Sequence, residues 1–273
     1  MSFQDKLLDS FIAFEQVIDL ENPIHTDRKN ALKRFESKGF PTKKDELWKY
    51  TSLKSIIQKD YSLSVKSNPN IGLKDIKKYS INDIDSFKIV FVDGVFNPFL
   101  SNTTHDGKDI CVLSAALTKS KYKKTIKKYF NKIVPDDQSL ASLNTSYTQE
   151  GAYIHIPKSV LPEDPVQILH FSSGKNKPLW LQPRNLIIVE ENARVEIIER
   201  HQSLRANDGV TNSLTEIYAE KNSFVDYYKI QNDLETSNLI DNTFIDQQRD
   251  SNVTVSYTHL RAHETEADLV CRL

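Results

Sequence analysis

Ile188-Val189-Glu190-Glu191-Asn192-Ala193-Arg194-Val195-Glu196-Ile197 is answered 30 residues later by Tyr218-Ala219-Glu220-Lys221-Asn222-Ser223-Phe224-Val225-Asp226-Tyr227. Glu, Asn, a small residue, Val and an acid fall in register between the two. A weaker third copy, Asp250-Ser251-Asn252-Val253-Thr254-Val255, lies 28 residues further on. Each unit reads as strand, short Asn-containing turn, strand. Such a unit cannot bury its own apolar face and must stack on its neighbours. The runs on either side, Tyr153–Ile156, Val166–Phe171, Leu186–Val189, Val195–Ile198, Leu214–Tyr218, Val225–Ile230 and Leu239–Ile245, are short and rich in β-branched and aromatic residues. Together they predict a parallel β-helix from about 151 to 257. A β-sandwich is the second architecture that this strand spacing allows; the scarcity of hairpin dipeptides counts against it.

Upstream the period changes. Phe3, Leu7, Phe11, Phe14 and Ile18 step by four, four, three and four, which predicts an amphipathic helix over Phe3–Leu20, ended by Asn22-Pro23. A second helix is expected from Asp27 to Lys38, with Leu32 and Phe35 on one face and Gly39 as its stop. The segment from Gly39-Phe40-Pro41-Thr42 to Glu46-Leu47-Trp48-Lys49-Tyr50-Thr51 reads as a packed corner. Two apolar runs joined by Asp93-Gly94 predict a hairpin near 87–99. Between Lys119 and Ile133, seven lysines interleave with Tyr122, Ile126, Tyr129 and Ile133 at helical steps, so they read as the solvated face of a helix. The expected class is α+β: 1–145 mainly helical with a β-hairpin near 87–99, 146–256 a right-handed parallel β-helix incomplete at its C-terminus, and 257–273 an anomalous tail.

Composition excludes several functions. The 273 residues carry 36 Lys+Arg against 37 Asp+Glu, a net charge of −1, so no global field attracts nucleic acid. Of the seven glycines the closest two, Gly94 and Gly107, are 13 apart. A Walker A loop, a dinucleotide fingerprint and a hydrolase nucleophile elbow all need closer spacing. Two cysteines, Cys111 and Cys271, make neither a disulfide framework nor a metal knuckle, which suits a reducing cytoplasm. No apolar run is long enough to span a membrane.

The chemistry-bearing residues are scattered. His155 alternates with Ile154 and Ile156 and, like His170 and His201, reads as a surface or groove-lining imidazole with no second His or Cys two to four residues away. Glu190, Glu191, Glu196 and Glu199, followed by Arg200 and His201, could line an outer groove as in polysaccharide-acting β-helix enzymes, although solvated strand faces look the same. His259 and His263, with Cys271 beyond, imitate a metal motif in a tail that departs from the strand rhythm at Tyr257. That tail resembles sequencing-adapter read-through, and the native chain is expected to run on. Sequence spacing assigns no catalytic residue and no metal ligand, and it leaves cofactor-binding residues open.

The corner Gly39–Thr51, the segment Leu143-Asn144 to Gly151-Ala152-Tyr153-Ile154-His155-Ile156-Pro157, and the run Asn212 to Thr215-Glu216-Ile217 resemble the SufD family, over about residues 25 to 256. SufB, a close relative, carries an amino-terminal cysteine motif that is missing here, where Cys111 stands alone. The resemblance implies a helical N-terminal domain followed by a right-handed parallel β-helix. It also implies a non-catalytic cytoplasmic scaffold for iron-sulfur cluster assembly that pairs with a SufB-like subunit and a SufC-like ABC ATPase, with the cluster built at the SufB/SufD interface. The family's interface histidine and its SufC-docking helices have no counterpart in this sequence. A polysaccharide-acting enzyme and a plain interaction solenoid are the alternatives.

Overall fold

The computed structural model describes residues 2–16, 22–63, 71–81, 84–174, 177–206, 208–234 and 236–259. The expected helix positions Ile18 and Leu20, and His263 and Cys271 of the tail, lie outside them. The helices are α1 (Phe3–Glu15), α2 (His25–Lys38), α3 (Lys54–Ile57), α4 (Leu73–Ile76), α5 (Leu113–Thr118), α6 (Ser120–Tyr129) and α7 (Ser139–Ser146). α1 opens with a capping box: the Ser2 hydroxyl accepts from the Asp5 amide at 3.1 Å, and the Asp5 carboxylate accepts from the Ser2 amide at 2.9 Å. It buries Phe3, Leu7 and Phe11, the predicted stripe. α6 buries Tyr122, Ile126 and Tyr129. In α2 the fully buried positions are Arg28, Ala31 and Phe35, while Leu32 is half-buried. In the corner, Phe40 packs on Phe3, Phe35 and Trp180, but Tyr50 projects outward, 83% exposed.

The strands are β1 (Phe87–Val92), β2 (Val95–Phe96), β3 (Asp109–Val112), β4 (Ala152–Ile156), β5 (Val166–Ser172), β6 (Trp180–Leu181), β7 (Arg184–Val189), β8 (Arg194–Ser203), β9 (Val210–Ala219), β10 (Phe224–Asn232), β11 (Asn238–Gln247) and β12 (Asn252–His259). They form two sheets, ordered β12-β10-β8-β5-β1-β2 and β11-β9-β7-β4-β3, with β6 pairing β9. Pairing is parallel except for β1–β2 and β3–β4. The chain alternates between the sheets from β7 to β12, which is the parallel β-helix.

The sequence repeat is the hydrogen-bonding register. Val195 lies opposite Val225 and Val225 opposite Val253, while Ile187, Ile217 and Ile245 line up across the other sheet. These side chains fill one core with Ile154, Ile168 and Ile197; full burial of each stabilises by about 1.5–3 kcal/mol. The repeated Asn is explained by the backbone. Asn192, Asn222 and Asp250 occupy equivalent turns with φ of 60°, 54° and 58°, a left-handed conformation that Asn and Asp tolerate better than other L residues. The Asn222 amide also donates to the Asn192 side chain at 3.2 Å, so the turns form a ladder.

Two expectations need correction. The hairpin exists, with Phe91 opposite Phe96 and Asp93-Gly94 at positive φ, but β1 also pairs in parallel with β5, Phe87 opposite Val166. The stretch before residue 145 therefore extends both sheets, through β1 and β3, because their apolar faces cap the end of the stack. Second, the strand does not break at Tyr257: Tyr257, Thr258 and His259 continue β12 in register with Lys229, Ile230 and Gln231. Among the described residues no helix is long and apolar enough to cross a membrane.

Candidate functional site

Alternate residues of each strand point into the solenoid, and parallel registration stacks them in columns. Along β8 the inward series is Val195, Ile197, Glu199, His201; along β5, Val166, Ile168, His170; along β10, Val225, Tyr227, Lys229, Gln231. The interior thus changes from apolar at one end to polar at the other. The facing sheet matches it with a column of Asn185, Thr215 and Thr243, and Asp241 beside them.

Glu199 is the hub, with no exposed surface. Its Oε1 faces His170 Nε2 at 3.2 Å and His201 Nε2 at 3.3 Å, and accepts from Asn185 Nδ2 at 3.0 Å. Its Oε2 accepts the Tyr227 hydroxyl and lies 3.3 Å from Lys229 Nζ. Lys229 Nζ also donates to both oxygens of Asp241, at 2.5 and 2.6 Å. Phe91, His170 and His201 stack as successive rungs, with ring centroids 5.0 and 4.6 Å apart and planes within 11° and 8°.

The electrostatics follow from burial and pairing. Burial would raise the Glu199 carboxyl, but Lys229 and the two histidines hold it well below its ordinary value. Burial would lower Lys229, yet Asp241 and Glu199 hold it well above its usual range. His170 is pushed down by burial, so it is a neutral imidazole. The Tyr227 hydroxyl is pushed up, first by burial and then by the Glu199 charge, and stays a donor.

The structure redistributes the residues singled out in the sequence. His170 and His201 are buried rather than on a surface or groove, and Glu199 is inside the solenoid. Glu196 is outside, paired with Arg194 at 2.9 Å, and Glu191 is outside on Lys158 at 2.5 Å. Glu190 bonds His155 Nε2 at 2.8 Å. Arg200 lies over the Tyr79 ring at 5.6 Å. Alternation keeps Glu196 and Arg200 on the outward face and turns Glu199 inward, so the acidic run makes no shared groove. Cys111 is buried among apolar neighbours, and burial pushes its thiol up to about 12, which removes it as a nucleophile. A second buried pair links the neighbouring strands β7 and β9, Arg184 Nη2 to Glu216 Oε1 at 2.6 Å with neither side chain exposed, and the guanidinium also reaches Thr145 of α7 at 2.9 Å.

Sequence reasoning missed the His170–Glu199–His201 cluster because it sought neighbours two to four residues away among His and Cys alone. The signal was present: Glu199 and His201 are two apart on one strand face, and His170 precedes His201 by 31, about one repeat.

Comparison with known proteins accords with this architecture. Residues 1–168 match the SufBD protein N-terminal region, and residues 170–273 match the SUF system FeS cluster assembly, SufBD core domain. An iron-sulfur cluster assembly SufBD family protein of Synechocystis is 25% identical over 232 residues, 82% of this chain and 51% of that protein. The iron-sulfur cluster assembly protein SufD of Bacillus subtilis is 28% identical over 110 residues, 39% of this chain and 25% of that protein. A SufBD family protein of Staphylococcus aureus is 32% identical over 108 residues, 39% of this chain and 23% of that protein. The chain spans about half the length of the Synechocystis relative. With consecutive family regions matched along its length and SufD among its relatives, the chain belongs to the SufBD family of iron-sulfur cluster assembly proteins.

Proposed function

We propose that this chain is a non-catalytic, cytoplasmic scaffold subunit of the SUF machinery, which pairs with a SufB-type subunit and works with a SufC-type ATPase. The observation that carries the reading is the match of an N-terminal and a core SufBD region in the order the fold requires. The architecture suits the role. A column of in-register parallel strands is stiff, so force applied at one end reaches the other with little loss. The glycine spacing leaves no phosphate-binding loop, so ATP chemistry belongs to the partner. The iron-sulfur cluster is cargo, assembled with the SufB-type subunit, and no residue of this chain is assigned as its ligand.

Co-expression of the chain with the SufB-type and SufC-type subunits of its own genome tests the reading. Co-elution of the chain with the SufB-type subunit on size-exclusion chromatography is the expected result. A folded chain that elutes alone in the presence of folded partners overturns it.

A further inference from the structure

We propose that His170, Glu199 and His201 form a site for one divalent first-row transition-metal ion, of the iron(II) or zinc class, inside the β-helix. One ligand atom from each residue lies within 4.8 Å of the others. Glu199 Oε1 is already 3.2 and 3.3 Å from the two Nε2 atoms. With metal–ligand bonds of about 2.1 Å, neighbouring ligand atoms sit roughly 3.0–3.4 Å apart, so this edge needs little adjustment. The side chains of His170, Glu199 and His201 are 10%, 0% and 5% exposed.

Two independent features point to a ligand. First, His201 Nε2 is buried without a hydrogen-bond partner, although it is aimed at the carboxylate; such an orphan is costly unless something occupies the gap. Second, the carboxylate divides its work. Oε2 is tied to Tyr227 and Lys229, which leaves Oε1 to the histidines, and Asn185 donates to that oxygen as an outer-shell orienter would. A small cavity of about 20 Å³ adjoins both imidazoles, bounded by Gly94, Leu181, Thr211 and Asp233. That is room for one water as a further ligand, with an acid at its wall. Two imidazoles and one carboxylate suit iron(II), zinc and cobalt(II), whereas magnesium and calcium prefer all-oxygen sites. The site belongs to this chain alone and is independent of whether it pairs with a SufB-type subunit.

The test uses the whole chain, purified without a histidine tag, stripped with chelator and titrated with Zn²⁺ and Co²⁺ by calorimetry, with bound metal counted by mass spectrometry. One equivalent is expected, not displaced by excess Mg²⁺. H170A and H201A should each weaken it at least tenfold. N185A should weaken it about 10–100-fold. H259A and H263A should leave it unchanged. If H170A or H201A fails the circular-dichroism check for folding, H170Q and H201Q replace them. No saturable ion on the wild-type chain, an affinity that the His170 and His201 variants do not alter, or equal binding of Mg²⁺ each overturns the proposal.

Discussion

Removal of the Glu216 carboxylate should destabilise the protein more than almost any other single polar change. Glu216 Oε1 receives Arg184 Nη2 at 2.6 Å and the Asn131 amide at 2.8 Å, and Glu216 Oε2 receives the Tyr218 hydroxyl at 3.3 Å. The guanidinium also donates to Thr145 Oγ1 at 2.9 Å and stacks 4.6 Å from the Phe130 ring centroid. In E216A the Arg184 charge remains buried with only neutral partners, at a cost of about 3–5 kcal/mol. With an m-value of roughly 3 kcal/mol per molar urea, the midpoint should fall by about 1–1.7 M. R184A should cost about as much, since it strands the carboxylate. The R184M/E216L double variant, which strands neither charge, should be more stable than either single variant. Urea unfolding of all four proteins, followed by circular dichroism, gives the cycle. A loss below about 1 kcal/mol in E216A, or a double-variant loss equal to the sum of the singles, refutes the reasoning.

Gly151 has φ of 152°, and a Cβ there would lie 1.8 Å from the Arg184 carbonyl oxygen, so G151A should prevent the β4–β7 pairing; a native far-ultraviolet spectrum and melting temperature would contradict this. Burial pushes the Glu150 carboxyl up to about 7 from an ordinary 4.5, only partly offset by the Ser114 hydroxyl. The folded state therefore binds the proton more tightly, and stability is lost as pH rises from about 4.5 through about 7. E150Q should match the wild type at pH 4.5 and exceed it at pH 8 by up to about 3 kcal/mol; a pH-independent difference in melting temperature would contradict this. At Asn222, with φ of 54°, N222A should cost about 1–2 kcal/mol and N222G almost nothing, as read by denaturant midpoints; equal losses would count against the left-handed turn as the reason for the repeat.

The solenoid was legible because its period is written in residues that only one geometry explains. Asn192 and Asn222 mark the left-handed turns, and Val195 and Val225 mark the inward column. The hairpin at Asp93-Gly94 was equally plain. What stayed hidden is long-range. Nothing near Phe87 announces that β1 will pair with Val166, 79 residues on, because parallel partners are chosen by stack geometry rather than local pattern. The polar interior was hidden for a related reason. Glu199, His201 and Lys229 break the apolar alternation that Val195, Ile197 and Tyr227 begin, so a reading by hydropathy assigns them outward. Only the register shows that the same face continues inward and that their charges are met by Asp241 and Asn185 from the facing sheet.

The most direct test of the scaffold account is the iron and acid-labile sulfide recovered on the SufB-type subunit of the same genome, purified after co-expression with this chain and without it. The account predicts more cluster per SufB-type subunit when the chain is present, and no uronate release from pectin-like substrates by the chain alone. Equal cluster content in the two preparations, or sugar release that is lost on changing Glu196 or Arg200, would contradict it.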